Sequence, residues 1–435
     1  MRDLIFVSLE NWDDIWRRNQ FICANLLRRF PYMRLLFVER PRDASHAVRT
    51  LRFSDFSDVV RPALRHLREF PGLTVFSPLK LLPNSLSSGR RVNACLLRRD
   101  LQRIASEIGM RAPLLWINDH FSGHLCGQLG ERAVVYDVTD DWTVMPSVGR
   151  EERERIVRAD QELCVRADLV VVCSQSLEDS RKPTARKLVR IPNGVDAAHY
   201  RSCIQSNPNE QHCGVGKTGA QTLPGSAAPV FGYLGTLHGD RIDSSLVLAL
   251  ADMWPGGKVV LCGPDFLSPL EHRRLKTRSN IEIRAAVGYA EVPKVLAGFD
   301  VCILPHRCNA FTESLNPIKL WEYLASGKPI ASTPVAGFRD FSHLCNLGEG
   351  TAGFLGACRS ALEEDPSISL WRMREAENHS WDHRVDDLLE VFRQQGWLGP
   401  RGGRNRRFQS NLILGDAMKR PMTRVRRGER DLCHG

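Results

Sequence analysis

The sequence predicts an α/β protein of two doubly wound, Rossmann-like domains that face each other across a cleft. Three observations predict it. Short apolar runs of strand length alternate with amphipathic helical stretches from the first residues onward, the pattern of a parallel sheet covered on both faces. The alternation breaks once, between Ser202 and Ala228, in a stretch rich in Ser, Asn, Gln, Gly and Pro, and then resumes. The chain has 435 residues, enough for two ordinary domains, and its 43% hydrophobic content is that of a globular protein.

In the first half the elements follow in order. Leu4–Ser8 reads as a strand and Arg18–Phe30 as a helix with apolar residues at helical spacing. Strands are expected at Leu35–Val38 and Leu73–Phe76, then a helix at Arg91–Ile108. Leu114–Ile117 and Ala133–Tyr136 are strands, Glu151–Cys164 is a charged helix, and Leu169–Cys173 and Leu188–Ile191 close the series. After the break come strands at Val230–Leu234, Lys258–Cys262, Ile281–Arg284, Asp300–Leu304 and Ile330–Ser332. Helices separate them at Ser244–Met253, Ala290–Gly298 and Pro317–Ser326. The domain plan is therefore 1–200 for a first domain, 201–228 for a linker with an insertion, 229–397 for a second domain, and 398–435 for a basic tail.

Composition narrows the class. No apolar run approaches the roughly 20 residues of a spanning helix, and the amino end lacks the pattern of a secretory signal, so a cytoplasmic protein is expected. The 13 cysteines are scattered without CxxC pairs or metal-ligand spacing, which argues for reduced thiols and against zinc. The formal charge is +10, and much of it sits after Gly399, where ten Lys and Arg face three acidic residues. Such a tail is expected to be disordered; its composition fits an anionic lipid surface, weak nucleic-acid binding without sequence preference, or a solvated tail with no set role. Gly214-Val-Gly-Lys-Thr218 is a false phosphate loop: the first glycine of the GxxxxGK[ST] pattern falls on Gln211, and no strand precedes it.

The most specific stretch is Phe311 to Thr333, FTESLNPIKLWEYLASGKPIAST. Asn316 is expected to cap a helix that begins at Pro317, where a missing N–H costs nothing, and Gly327 to end it. Lys319 adds a positive charge to the first turn, where free N–H groups already favour phosphate. Glu322, three residues on, shares its face. A cation for a diphosphate and a carboxylate for sugar hydroxyls fit a nucleotide sugar; a plain surface ion pair fits the spacing equally well.

This stretch resembles the donor-binding motif of GT-B glycosyltransferases of the family 1/4 type, and most of all the bacterial polysaccharide and teichuronic-acid-type biosynthesis subgroup with its NPLKLYEYLAAGKPVV-like segment. Further likenesses are Ile191-Pro-Asn-Gly-Val-Asp196 with Ala167-Asp168 and Ser174 upstream, Phe231-Gly-Tyr-Leu-Gly-Thr236, Val260-Leu-Cys-Gly-Pro264, Val135-Tyr-Asp-Val-Thr-Asp-Asp-Trp142, and Trp12–Gln20 with Leu36–Pro41. Trp381–Phe392 resembles the closing helix that crosses back to the first domain. The likeness covers about residues 1–397. Retaining members carry two glutamates with seven residues between them; Glu322 matches the second, whereas the first position is Ser314, with Glu313 one residue out of register. Inversion and retention at the anomeric carbon both stay open.

The resemblance implies a glycosyltransferase that moves a hexosyl- or glucuronosyl-type sugar from a nucleoside diphosphate sugar to a saccharide or lipid-linked acceptor, with no metal and no cofactor beyond the donor. It implies donor contacts from Gly235, Thr236, Gly263, His306, Ser314, Asn316, Lys319 and Glu322. On the acceptor side Asp140 is the first choice for a base, Asp141 the second, and His120 with Asp119 a weaker pair. Gln20 and Glu39 are further acceptor-side residues. Arg28, Arg29, Arg61 and Arg65 are expected on a face that rests against the inner side of the plasma membrane. The competing readings are a nucleotide-sugar epimerase of the same fold and a basic nucleic-acid- or lipid-binding protein on a degenerate scaffold. A nicotinamide-dependent oxidoreductase is disfavoured, because the first turn, Ser8–Trp12, has no GxGxxG.

Overall fold

The structure is a computed structural model that describes residues 1–44, 62–205 and 228–398. The linker, the false phosphate loop, Arg61 and the basic tail lie outside these residues, apart from the linker's first five positions, Ala228 and Leu398.

In the first half, β1 (Asp3–Val7), α1 (Arg18–Arg29), β2 (Arg34–Val38), β3 (Arg42–Asp43), β4 (Ala63–Leu67), β5 (Phe70–Ser77), β6 (Leu79–Lys80) and α2 (Ser87–Glu107) come first. Then follow β7 (Leu114–Ile117), β8 (Ala133–Val138), α3 (Arg150–Arg166), β9 (Leu169–Val172), α4 (Gln175–Arg181), β10 (Leu188–Arg190) and α5 (Ala197–Gln205). Eight of these strands form one sheet in the order β10-β9-β8-β7-β1-β2-β5-β4. All its pairs are parallel except β4–β5, an antiparallel edge hairpin. The central strands are apolar on both faces: β1, β7, β8 and β9 are buried throughout, as parallel strands under two helical layers must be. The edge strand β4 escaped the sequence reading because its side chains alternate between half-buried and exposed.

The second half contains β11 (Val230–Leu234), β12 (Leu237–His238), α6 (Ser244–Met253), β13 (Lys258–Cys262), β14 (Asp265–Phe266), α7 (Pro269–Leu275), β15 (Ile281–Arg284), α8 (Val292–Ala297) and β16 (Val301–Leu304). It continues with α9 (Ala310–Glu313), α10 (Ile318–Ser326), β17 (Ile330–Ser332), β18 (Asn346–Leu347), α11 (Gly350–Leu362), α12 (Ile368–Asn378) and α13 (Trp381–Gln394). Its six-stranded sheet, β15-β13-β11-β16-β17-β18, is entirely parallel.

Two elements tie the halves together. Helix α5 packs on α8 and α10 of the second half. Helix α13 returns to the first half and lies on α1. There Trp381 stacks on Phe21 with ring centroids 4.9 Å apart, and Arg29 reaches Asp382 and Asp386 at 3.3 and 3.1 Å. A short parallel bridge between Val195 and Ser380 fastens the crossing.

Candidate functional site

In open parallel sheets ligands bind beyond the carboxyl ends of the strands, and here both sheets turn those ends toward one cleft. On the second-domain side, β11 ends at Gly235 (φ +154°) and β13 at Gly263 (φ +153°). The two turns touch: a Cβ on Gly263 would lie 1.9 Å from the Gly235 carbonyl oxygen. Both positions therefore need glycine, which leaves backbone open to a phosphate. Below the turn, the Tyr233 hydroxyl donates to the Thr236 carbonyl (3.1 Å) and lies 3.3 Å from His306 Nε2. His306 is buried, its Nδ1 has no partner, and burial, then the nearby Arg241, push its pKa down to about 3. It is neutral and supports the turn from beneath.

Helix α10 starts beside these turns. It begins at Ile318, with Pro317 as the capping residue and no side-chain cap. The expected cap, Asn316, is thus one residue too early. Its side-chain oxygen instead accepts from the Asn193 backbone N–H at 2.7 Å, and its carbonyl accepts from Asn193 Nδ2 at 2.6 Å. A bond across the domains has taken the group that the local reading assigned to the helix. Gly327 ends the helix in the left-handed region, φ +68°, as expected. Tyr323 fastens the helix to β11 by accepting from the Leu234 N–H at 2.9 Å. Lys319 Nζ and Glu322 Oε2 are 2.5 Å apart. Glu322 is only 2% exposed, so this is no solvated surface pair. The charge of Lys319 also reaches the Cys262 thiol beside Gly263.

On the first-domain side, the ends of β1, β7 and β8 are laced together. Asn118 accepts from Leu9 N–H and Asn19 Nδ2 and donates to the Asp137 carbonyl. Asp137 is fully buried and pairs with Arg18 at 3.1 Å. Arg18 also donates to Ile191 O and Asn193 Oδ1, so it holds the Ile191–Asp196 segment. Asn118, His120, Asp140, Trp142, Asp160 and Arg181 line a small recess. Asp140 and His120, predicted from sequence, are thus brought together. Burial holds the His120 ring below its ordinary pKa, against the pull of Asp119. Asp119 itself caps the short helix His120–Leu125.

Asp141 does not face this recess. Its carboxylate accepts from both Arg181 nitrogens at 2.7 and 2.9 Å and from Thr143 N–H at 3.1 Å. Burial disfavours its charge, but Arg181 outweighs that and holds the carboxyl below the usual range. Asp141 is a buried clamp, not a free base. Gln20 and Glu39 are also spent on structure. Gln20 spans Arg17 N–H, Asn11 O and Ile15 O, and Glu39 accepts from Trp12 N–H, Arg65 and Ser77.

The two sides meet. Asp140 lies 3.3 Å from Arg241 of the second domain, and Arg241 covers the Phe311 ring at 5.2 Å. Ser314, the position where retaining relatives carry a glutamate, accepts from Asp141 N–H at 3.3 Å, and its carbonyl accepts from Ser174 at 2.6 Å. It is 1% exposed, turned toward the first domain. Phe311 and Leu315 pack there with Met145.

Sequence reasoning missed Glu10. It follows β1 in the cleft-side loop, with Oε1 3.7 Å from Arg17 Nε and Oε2 buried without a partner. Burial, opposed by Arg17 and helped by Asp140, raises its pKa to about 7. No spacing rule could find it, because its surroundings come from β8 and α1.

Two facing Rossmann-like domains with a returning helix define the GT-B fold, and the chain has that fold. Residues 228–362 match the sequence model of the family described as "Glycosyl transferases group 1". Among curated relatives the chain is similar to "Putative teichuronic acid biosynthesis glycosyltransferase TuaH" of Bacillus subtilis (strain 168), at 24% identity over 266 residues. That match covers 57% of this chain and 64% of the Bacillus protein, just under two thirds of it. Among solved structures it is similar to sucrose-phosphate synthase from Thermosynechococcus elongatus (TM-score 0.66, 15% identity, 91% of this chain and 100% of that one). It is also similar to Anabaena Alr3699/HepE in complex with UDP-glucose (TM-score 0.60, 16% identity, 91% and 100%).

Proposed function

We propose that this protein is a glycosyltransferase that moves a sugar from a nucleoside diphosphate sugar to a saccharide or lipid-linked saccharide during assembly of a cell-surface polysaccharide. One observation carries the reading. The touching turns at Gly235 and Gly263 open beside the first turn of α10, where a buried Glu322 holds Lys319. The exposed backbone, the helix N-terminus and Lys319 suit the diphosphate, and Glu322 suits hydroxyls of the ribose or the donor sugar. In the reaction the acceptor oxygen bonds to the anomeric carbon, and the bond from that carbon to the diphosphate breaks. The electron pair leaves with the diphosphate, where Lys319 stabilises it. Asp140 orients the acceptor hydroxyl and takes its proton, with Glu10 as a second carboxylate in reach of the same side. The pairing of Asp140 with Arg241 supports a site completed by domain closure, which excludes water. The unpaired described cysteines accord with a cytoplasmic enzyme at the inner membrane face. A hexosyl or glucuronosyl donor is the class we favour.

The test is a thermal-shift and calorimetric screen against UDP, GDP, ADP and their sugar conjugates, repeated with Lys319→Ala and Glu322→Ala. Stabilisation by one nucleoside diphosphate is expected, with binding weakened at least tenfold in Lys319→Ala and transfer abolished in both variants. Undiminished donor turnover in either would overturn the assignment. Turnover of the donor sugar with no acceptor present would favour an epimerase.

A further inference from the structure

Two of the arginines expected on a membrane face are paired with carboxylates. Arg29 is held by Asp382 and Asp386, and Arg65 by Glu39. A different surface stands out between β5 and α2. Leu81, Leu82, Leu86 and Val92 are 44, 39, 57 and 41% exposed. Single exposed apolar side chains are ordinary, but a cluster marks an interaction site.

The cluster is built, not loose. The Asn93 side chain accepts from the N–H groups of Leu81 and Leu82 at 3.0 and 3.2 Å and donates to Leu82 O and Asn84 Oδ1. Arg90 donates to Asn84 O at 2.6 Å. Gly89 lets the loop lie directly on α2, since a Cβ there would sit 2.4 Å from the Pro83 carbonyl oxygen. The backbone is thereby fastened beside Val92 while the leucine side chains stay in water.

The charge around it is one-sided. Residues 79–107 contain six basic residues, Lys80, Arg90, Arg91, Arg98, Arg99 and Arg103, against two acids, Asp100 and Glu107, the second paired with Arg103 at 2.8 Å. Arg91 and Arg99 are exposed on the same stripe of α2 as Val92, and among the described residues neither is paired. Because β5 is parallel to its neighbour β2, the loop that follows it stands at the cleft rim of the first domain.

We propose that Leu81, Leu82, Leu86 and Val92, flanked by Arg91 and Arg99, form the surface on which this protein docks to an anionic lipid bilayer. The leucines enter the headgroup region and the arginines contact lipid phosphates. The use of this surface, presenting the cleft rim to an acceptor anchored in lipid, rests on the transferase reading above. The docking itself does not.

The full-length protein is sedimented with phosphatidylcholine vesicles, with and without phosphatidylglycerol. Binding is expected only with phosphatidylglycerol. Arg91→Ala with Arg99→Ala is expected to weaken it about thirtyfold, from roughly 1 kcal/mol per basic residue. Leu82→Glu with Leu86→Glu is expected to lose it at unchanged melting temperature, since both side chains already face water. No binding, or wild-type binding by both double variants, overturns the proposal. So does a dimer that only the leucine pair disrupts, without vesicle binding, since the partner is then a second copy. Nucleotide binding is followed in the same variants: its retention separates failed docking from failure of the transferase reading.

Discussion

At the residue scale, identity matters less than where each polar group finds its partner. Asp140 and Asp141 are neighbours in sequence with unlike surroundings. Arg181, forty positions away, takes Asp141 and leaves Asp140 facing the recess. The same principle makes Glu10 titrate oddly. Its ordinary value is 4.5 and burial raises it to about 7, so the fold prefers the protonated carboxyl. Its stabilising contribution is whole below pH 4.5, where the unfolded chain is protonated too. It is lost as pH rises toward 7, because only the unfolded chain ionises freely. Glu10→Gln stays neutral throughout. Melting temperatures measured against pH should therefore show wild type falling relative to Glu10→Gln between about pH 4.5 and 7. Parallel curves would mean that Glu10 ionises normally.

At the element scale, the second-domain side of the candidate site rests on two turns and one helix. Gly263→Ala would set a Cβ against the Gly235 carbonyl and force a side chain into a positive-φ backbone. A loss of about 1–3 kcal/mol in urea unfolding is expected, together with weaker nucleoside diphosphate binding by calorimetry. Wild-type stability and affinity would show that the two turns do not need their close approach. The helix itself was legible because its signals are local: the proline before it, the apolar spacing within it, and the glycine after it. Its cap was misread for a reason that is not local, since Asn316 is bonded to Asn193, 123 positions away. The short amphipathic strand β4 was illegible for a related reason: a half-exposed strand at a sheet edge lacks the apolar run that identifies a central one.

At the scale of the whole molecule, polar bonds and a small apolar contact hold the cleft closed on one side. Asn193 meets Asn316, Ser174 and the Asp141 N–H meet Ser314, and Phe311 and Leu315 pack on Met145. Asn316→Ala removes a hydrogen bond worth about 1 kcal/mol and leaves the Asn193 N–H without its acceptor. Small-angle scattering should then show a larger radius of gyration without nucleotide, and amide exchange should rise in residues 311–317 and 191–196. Scattering and exchange identical to wild type would show that closure does not depend on this contact.

By itself the sequence determined the alternating α/β order, the break between two halves, the helix that carries Lys319 and Glu322, and the two glycine turns. All of these are written in short-range patterns: apolar periodicity, turn residues, and charges one helical turn apart. The tertiary structure decided the rest. It chose which of two adjacent aspartates lines the recess, engaged Asn316 and Ser314 in bonds between the domains, and raised the Glu10 carboxyl by burying it. It also paired Arg29 and Arg65 with carboxylates and left a leucine loop exposed. A polar or charged group takes its behaviour from partners and solvent brought by distant parts of the chain, and no local pattern records which partners arrive.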